Sequence, residues 1–144
     1  MSKKINDFLK TYINQLTHSI LSSNIKNIHK ASLSIIKASK KRKNILVCGN
    51  GGSTAIANHY VCDYLKFLRE NSLLRPKVIS LSNSAETITA IGNDISFDQI
   101  FRYQAESIAE KGDLLIVISS SGNSKNIKEV MKFAKKKKIT NKRF

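Results

Sequence analysis

Apolar residues at Ile5, Phe8, Leu9, Tyr12, Ile13, Leu16 and Ile20 recur at three-and-four spacing. That is the period of a helix with one apolar stripe, and it predicts a long first helix over 5–21. Ser22-Ser23-Asn24 supplies turn and capping groups, and Ile25, Ile28, Ser32, Ile35, Ile36 and Ser39 continue at helical spacing, predicting a second helix. The pattern then changes. Residues 44–48 form a short β-type run that ends in Gly49-Asn50-Gly51-Gly52-Ser53, after which Ala57, Tyr60, Val61, Tyr64, Leu65 and Leu68 return to helical period. This is strand, glycine loop, helix.

After Pro76, residues 77–81 read as a second strand, followed by a short helical or irregular stretch to Gly92-Asn93-Asp94 and a helix marked by Ile100, Phe101, Gln104, Ala105 and Ile108. Lys111-Gly112-Asp113 closes that helix. Residues 114–118 are continuously apolar, as a strand covered on both faces should be. Ser119-Ser120-Ser121-Gly122-Asn123-Ser124 follows, and Ile127, Val130, Met131 and Ala134 give the next helical stripe. Strands alternating with helices imply a parallel sheet with right-handed crossovers. The expected fold is α/β, with an N-terminal helical hairpin over 1–43 and a layered domain over 44–144. Ile139-Thr140 would open a fourth strand, but the sequence stops four residues later. Three strands with an exposed edge are therefore expected, and with them a truncated or frame-shifted chain.

The apolar runs fall far short of the roughly 20 residues that cross a bilayer, and no apolar signal-peptide core follows Met1. A cytoplasmic protein is expected. Cys48 and Cys62 are in no metal or redox spacing and are expected to be reduced. Lys and Arg number 25 against 10 Asp and Glu, a formal charge of +15 that would attract polyanions. Eleven of these cations fall in two patches, four over 40–43 and seven over 132–143, where cations favour helix C-termini. Aromatic residues for base stacking are not interleaved with them, so a general lysine bias is preferred over a nucleic-acid surface.

Two small, polar loops run from strand ends into helices, where open α/β sheets bind ligands. Backbone N–H groups and the positive dipole end at a helix start attract phosphate, and serine hydroxyls add donors. Ser119, Ser120, Ser121 and Ser124 thus form a candidate phosphate cradle, with Asn50, Gly51, Gly52 and Ser53 as a neighbouring wall; an N-cap cluster is the alternative. The dinucleotide fingerprint fails because it needs glycine at Thr54, and the Walker triplet is absent. His59 and Asp63, four apart on one helix face opposite the Tyr60, Tyr64 and Leu68 stripe, suit metal binding or acid–base work, or a solvated ion pair. His18 and His29 read as helix-surface residues.

The order Cys-Gly-Asn-Gly-Gly-Ser at 48–53, His59, Gly92-Asn93-Asp94, and Ile-Ser-Ser-Ser-Gly-Asn-Ser at 118–124 resembles the sugar isomerase (SIS) domain of sedoheptulose 7-phosphate isomerases, the phosphoheptose isomerases. The resemblance runs from the N-terminal helices to about Thr140. It implies a three-layer α/β/α sandwich with flavodoxin-like winding, and a homotetramer with active sites at subunit interfaces. Its activity is conversion of sedoheptulose 7-phosphate to D-glycero-D-manno-heptose 7-phosphate, for lipopolysaccharide or surface-polysaccharide precursors. By the same resemblance, Ser119, Ser120, Ser121 and Ser124 clamp phosphate, Asn50 and Ser53 contact substrate, and Asp94 meets a sugar hydroxyl. The resemblance also makes His59 a zinc ligand. Asp63 stands where the family has its catalytic glutamate, which relays a proton between C1 and C2, and with His59 it is the candidate metal pair. Asp63 is one methylene shorter, and the family's catalytic histidine and glutamine ligand belong to a C-terminal helix beyond this sequence. A non-catalytic sugar-phosphate binder is a second expectation, and a regulator resembling the family's replication-initiator-binding relatives is a third.

Overall fold

The structure, a computed structural model, describes residues 2–143. It divides into two compact units, Met1–Ala31 and Ser32–Phe144. The first contains α1 (Ser2–Leu21) and the opening turns of α2 (Ile25–Lys40). Asn24 starts α2 as a cap: its Oδ1 accepts from the Asn27 N–H at 3.1 Å. The α1 stripe forms at the expected period, and its seven large apolar side chains are 47–66% exposed.

The second unit is built on a parallel sheet of β1 (Asn44–Gly49), β2 (Lys77–Ser80), β3 (Leu114–Ile118) and β4 (Thr140–Arg143), in the order β2-β1-β3-β4. Ile45 pairs with Leu114 and Val78, and Gly49 with Ile118, so β1 and β3 end level with each other. Between the strands run α3 (Gly52–Cys62), which passes through a π-helical turn (Asp63–Phe67) into α4 (Leu68–Glu70), and α5 (Ala85–Ile91). A second π-helical turn (Gly92–Ser96) and a 3-10 turn (Phe97–Gln99) follow, then α6 (Ile100–Ile108) and α7 (Lys125–Lys136).

Strand alternation sorts the core into two layers. Ile45, Val47, Leu114 and Ile116 face Ala38 of α2 and Ala57 of α3; Leu46, Cys48, Leu115 and Val117 face α5, α6 and α7 through Ile91, Phe101, Val130 and Phe133. Both sheet faces are covered, which is why the strands read as unbroken apolar runs. Each fully buried Val, Leu or Ile contributes about 1.5–3 kcal/mol. The three-layer α/β/α sandwich and its winding are as expected.

One expectation is corrected. The sheet has four strands: Thr140 pairs with Leu114 and Arg143 with Val117, so the last residues cover the β3 edge. Asp113, fully buried, fastens this end of the sheet, accepting N–H groups from Asn44 (2.9 Å) and Glu110 (2.8 Å) while its carbonyl accepts from Thr140 (3.0 Å). That carbonyl starts the β4 ladder, an effect that no local propensity of four polar residues announces.

Candidate functional site: a crevice between two helix starts

Because α3 packs on one face of the sheet and α7 on the other, the chain leaves the adjacent strands β1 and β3 in opposite directions. The reversal opens a crevice at their carboxyl ends, the place where open α/β sheets take ligands. Both helices, 11 and 12 residues long, begin there, and neither has an acidic residue in its first turn. Two positive dipole ends thus converge, with no carboxylate in either first turn to offset them.

The β1 loop is narrow by necessity. A Cβ on Gly49 would lie 2.6 Å from Ser53 Cβ and 2.7 Å from the Ser53 carbonyl oxygen, so only glycine fits beneath the first turn of α3. Gly51 takes φ 54°, a conformation that favours glycine, and opens the helix. The Gly49 carbonyl accepts from Thr54 Oγ1 (2.6 Å) and from the buried Ser82 Oγ (3.0 Å), and its N–H donates to Ser82 (3.1 Å). Sequence reading missed Ser82, which ties the ends of β1 and β2 together.

In the β3 loop, Ser119 Oγ accepts from the Gly122 N–H at 3.0 Å and Ser121 Oγ from the Asn123 N–H at 3.2 Å. A hydroxyl that accepts from the backbone keeps its one O–H to donate outward. Gly122 makes the turn at φ 61°. Ser124 is at the N-cap of α7 and its side chain makes no capping bond, so the capping alternative fails there. Ser120 is exposed. These features are those of an anion cradle.

The two loops are joined side chain to side chain. Asn50 Nδ2 donates to Asn126 Oδ1 (2.9 Å), and Asn126 Nδ2 donates back to Asn50 Oδ1 (3.0 Å). Asn126 is 2% exposed and also accepts from the Ile127 N–H at 2.9 Å. Much of the hydrogen-bonding capacity of Asn50 is thus spent on Asn126. Asn126 was missed, although it precedes Val130 and Ala134 in four-residue steps on the buried face of α7, where a polar residue is the signal. Lys125 was also missed; it places a cation at the α7 start, 3.9 Å from Asp98.

Asp94 is exposed on the second π-helical turn, accepting from Asn93 Nδ2 at 2.7 Å. The 3-10 turn after it carries Asp98, so this segment abuts the α7 start through Lys125.

His59 and Asp63 are on the outer face of α3, as expected, with Nε2 and Oδ1 3.3 Å apart and side chains 72% and 52% exposed. Behind them Tyr60 and Tyr64 stack at 4.8 Å and anchor the helix. Burial is the main cause that pushes the Tyr64 phenol up, helped by its hydrogen bond with Tyr60. At 1.5 Å per residue, Asp63 is about 16 Å along the helix from Gly52, so it does not meet the cradle. Zinc takes four ligands, or three and a water. His59 and Asp63 provide two donors, and among the described residues no group of three His, Cys, Asp or Glu side chains comes together. These residues do not make a complete zinc site.

Cys48 and Cys62 are free thiols, the first buried and the second exposed. No helix among the described residues is long and apolar enough to cross a membrane.

Comparison with known proteins agrees with this geometry. A family model for the SIS domain matches residues 8–140. A phosphoheptose isomerase of Nitratiruptor is 44% identical over 112 residues, 77% of this chain and 59% of that protein. A probable phosphoheptose isomerase of Thermoplasma acidophilum is 38% identical over 128 residues, 88% of this chain and 69% of the relative. The solved phosphoheptose isomerase of Francisella tularensis superposes with a TM-score of 0.86 at 30% identity, over 98% of this chain and 73% of that one. The chain spans 51–59% of the length of the first curated relatives it matches. With a converging pair of helix starts, a serine cradle between them and a family match over nearly its whole length, the chain belongs to the SIS domain family, among the phosphoheptose isomerases.

Proposed function

We propose that this chain holds the phosphosugar site of an aldose–ketose isomerase that interconverts sedoheptulose 7-phosphate and D-glycero-D-manno-heptose 7-phosphate, in the cytoplasm, for heptose and lipopolysaccharide precursors. The single observation that carries the reading is the pairing of the two loops through Asn50 and Asn126, which sets the serine cradle and the start of α3 around one crevice.

In this reading the phosphate sits among the outward O–H groups of Ser119 and Ser121, Ser124, Ser120 and the α7 start, and the dipole ends hold its charge. The sugar extends over Gly51, Gly52 and Ser53, with Asp94 on a hydroxyl. A carboxylate then moves a proton between C1 and C2 through an enediol, and Asp63 is the residue assigned to it. Its distance along α3 from its own cradle, with its exposure, supports a site completed by a second copy. Homo-oligomerisation, to a tetramer by resemblance, is proposed accordingly, and the uncovered apolar stripe of α1 supports it. Zinc at His59 and Asp63 needs further donors from outside the described residues, and no step here runs through it.

The test is NMR of sedoheptulose 7-phosphate with the folded chain and its Asp63→Asn variant. Aldose phosphate formed by the parent and not by the variant is the expected result. A perturbed phosphate signal without turnover selects the binding-only reading, which the shorter Asp63 side chain favours. A folded chain that leaves the signal untouched sinks both.

A further inference from the structure

A second basic region lies at the other end of the sheet. Lys40 and Arg42 precede β1, and Arg75 precedes β2, so the three come to the amino ends of these paired strands, where Arg69 lines the same cleft. Together they line a cleft of about 790 Å³ with Tyr64 and Leu74. A six-residue strand at about 3.3 Å per residue separates this end from the serine cradle by roughly 20 Å.

Two of the cations are held in place. An Arg42 guanidinium N–H donates to the Arg75 carbonyl, and Arg75 Nη1 donates to the carbonyls of Ser72 (3.1 Å) and Leu74 (2.9 Å). These bonds leave each fork with further N–H donors. None of the four cations pairs with a carboxylate among the described residues. The cation-rich groove around α6 and α7 contrasts with this: Arg102 pairs with Glu106 at 2.9 Å and Lys132 with Glu129 at 2.6 Å. In that groove two of the four cations have a carboxylate partner, and in this cleft none does. Unpaired like charges at close quarters repel, and an anion between them removes the repulsion.

We propose that this cleft is a second anion site, separate from the sugar-phosphate crevice, and that it takes a compact polyphosphate group. Its volume is that of a small-molecule pocket. The aromatic ring it offers, Tyr64, is half-buried and already stacked on Tyr60, so it is no platform for unpaired bases. That favours a short chain of phosphates over a nucleic acid strand.

The probe is inorganic tripolyphosphate, titrated calorimetrically into the full chain at about 150 mM salt, where charges more than about 8 Å apart are screened. One site per chain is expected. Lys40→Gln with Arg69→Gln, side chains outside the bonds that hold the loop, should weaken binding about 10-fold or more while circular dichroism stays unchanged. Lys136→Gln with Lys137→Gln, the same charge change in the carboxylate-paired groove, should leave it unaltered, as should Ser119→Ala with Ser121→Ala. Equal loss in both lysine-containing pairs, or displacement of tripolyphosphate by a DNA oligonucleotide at equal phosphate concentration, overturns the proposal in favour of general polyelectrolyte attraction. Loss in the serine pair overturns it by placing the ligand in the cradle.

Discussion

Replacing Gly49 by alanine places a methyl group 2.6–2.8 Å from three atoms of Ser53, two of them backbone. Ordinary contact needs about 3.5 Å or more, so the first turn of α3 must move by about 0.5–1 Å. It cannot move freely, because Thr54 Oγ1 and Ser82 both hold the Gly49 carbonyl. Overpacking of this kind costs about 1–3 kcal/mol. At Gly52, three residues on, a Cβ meets nothing within 4 Å and the residue is helical, so alanine there should stabilise by about 0.4–1 kcal/mol. Urea denaturation of both variants beside the parent reads the difference directly, and thermal midpoints should move by roughly 4 °C per kcal/mol. The shift at Gly49 should also loosen phosphosugar binding, since displacements near 1 Å can cost about 10²-fold in a positioned site. A Gly49→Ala variant within 0.5 kcal/mol of the parent, or one no less stable than Gly52→Ala, refutes the steric account of this loop.

Ser119→Ala with Ser121→Ala should abolish sugar-phosphate binding in phosphorus NMR; unchanged affinity removes the cradle assignment. Asp113→Ala strips the acceptor from two backbone N–H groups beneath three strands, and a loss of about 2–4 kcal/mol in urea is expected; a neutral variant argues that water replaces the carboxylate. Burial pushes the Cys48 thiol up to about 12, so a maleimide should label Cys62 alone in the native protein and both thiols after unfolding. The folded state keeps a proton that the unfolded thiol gives up above pH 9, so stability should fall by at most about 1.4 kcal/mol per pH unit between pH 9 and 12. The Cys48→Ala variant should lack that component of the slope, and identical slopes rule it out.

The layered architecture was legible because burial on both faces leaves an unbroken apolar run in β1 and β3, while one-sided burial leaves a stripe in α7. The loops were legible because glycine and serine at strand ends have few other uses. The two π-helical turns were not: an extra residue per turn leaves no mark in composition, yet one carries Asp63 and the other Asp94. Such turns often mark functional sites, and here they coincide with both carboxylates nominated for chemistry. Asn126 hid because a buried amide is stable only with its partner, which is 76 positions away. The basic cleft hid for a similar reason. Residues 40–43 read as the end of a helix, and only the pairing of β1 with β2 sets them beside Arg69 and Arg75.

In the proposed oligomer, the α1 stripe ties stability to concentration. A 20-residue helix gains little from backbone propensity alone and relies on cover for its apolar face. Seven of its large side chains are about half in water; a second copy that covered them would make their burial subject to mass action. Diluting the protein should therefore lower its melting temperature, whereas truncating α1 should make the melting of the sheet indifferent to dilution.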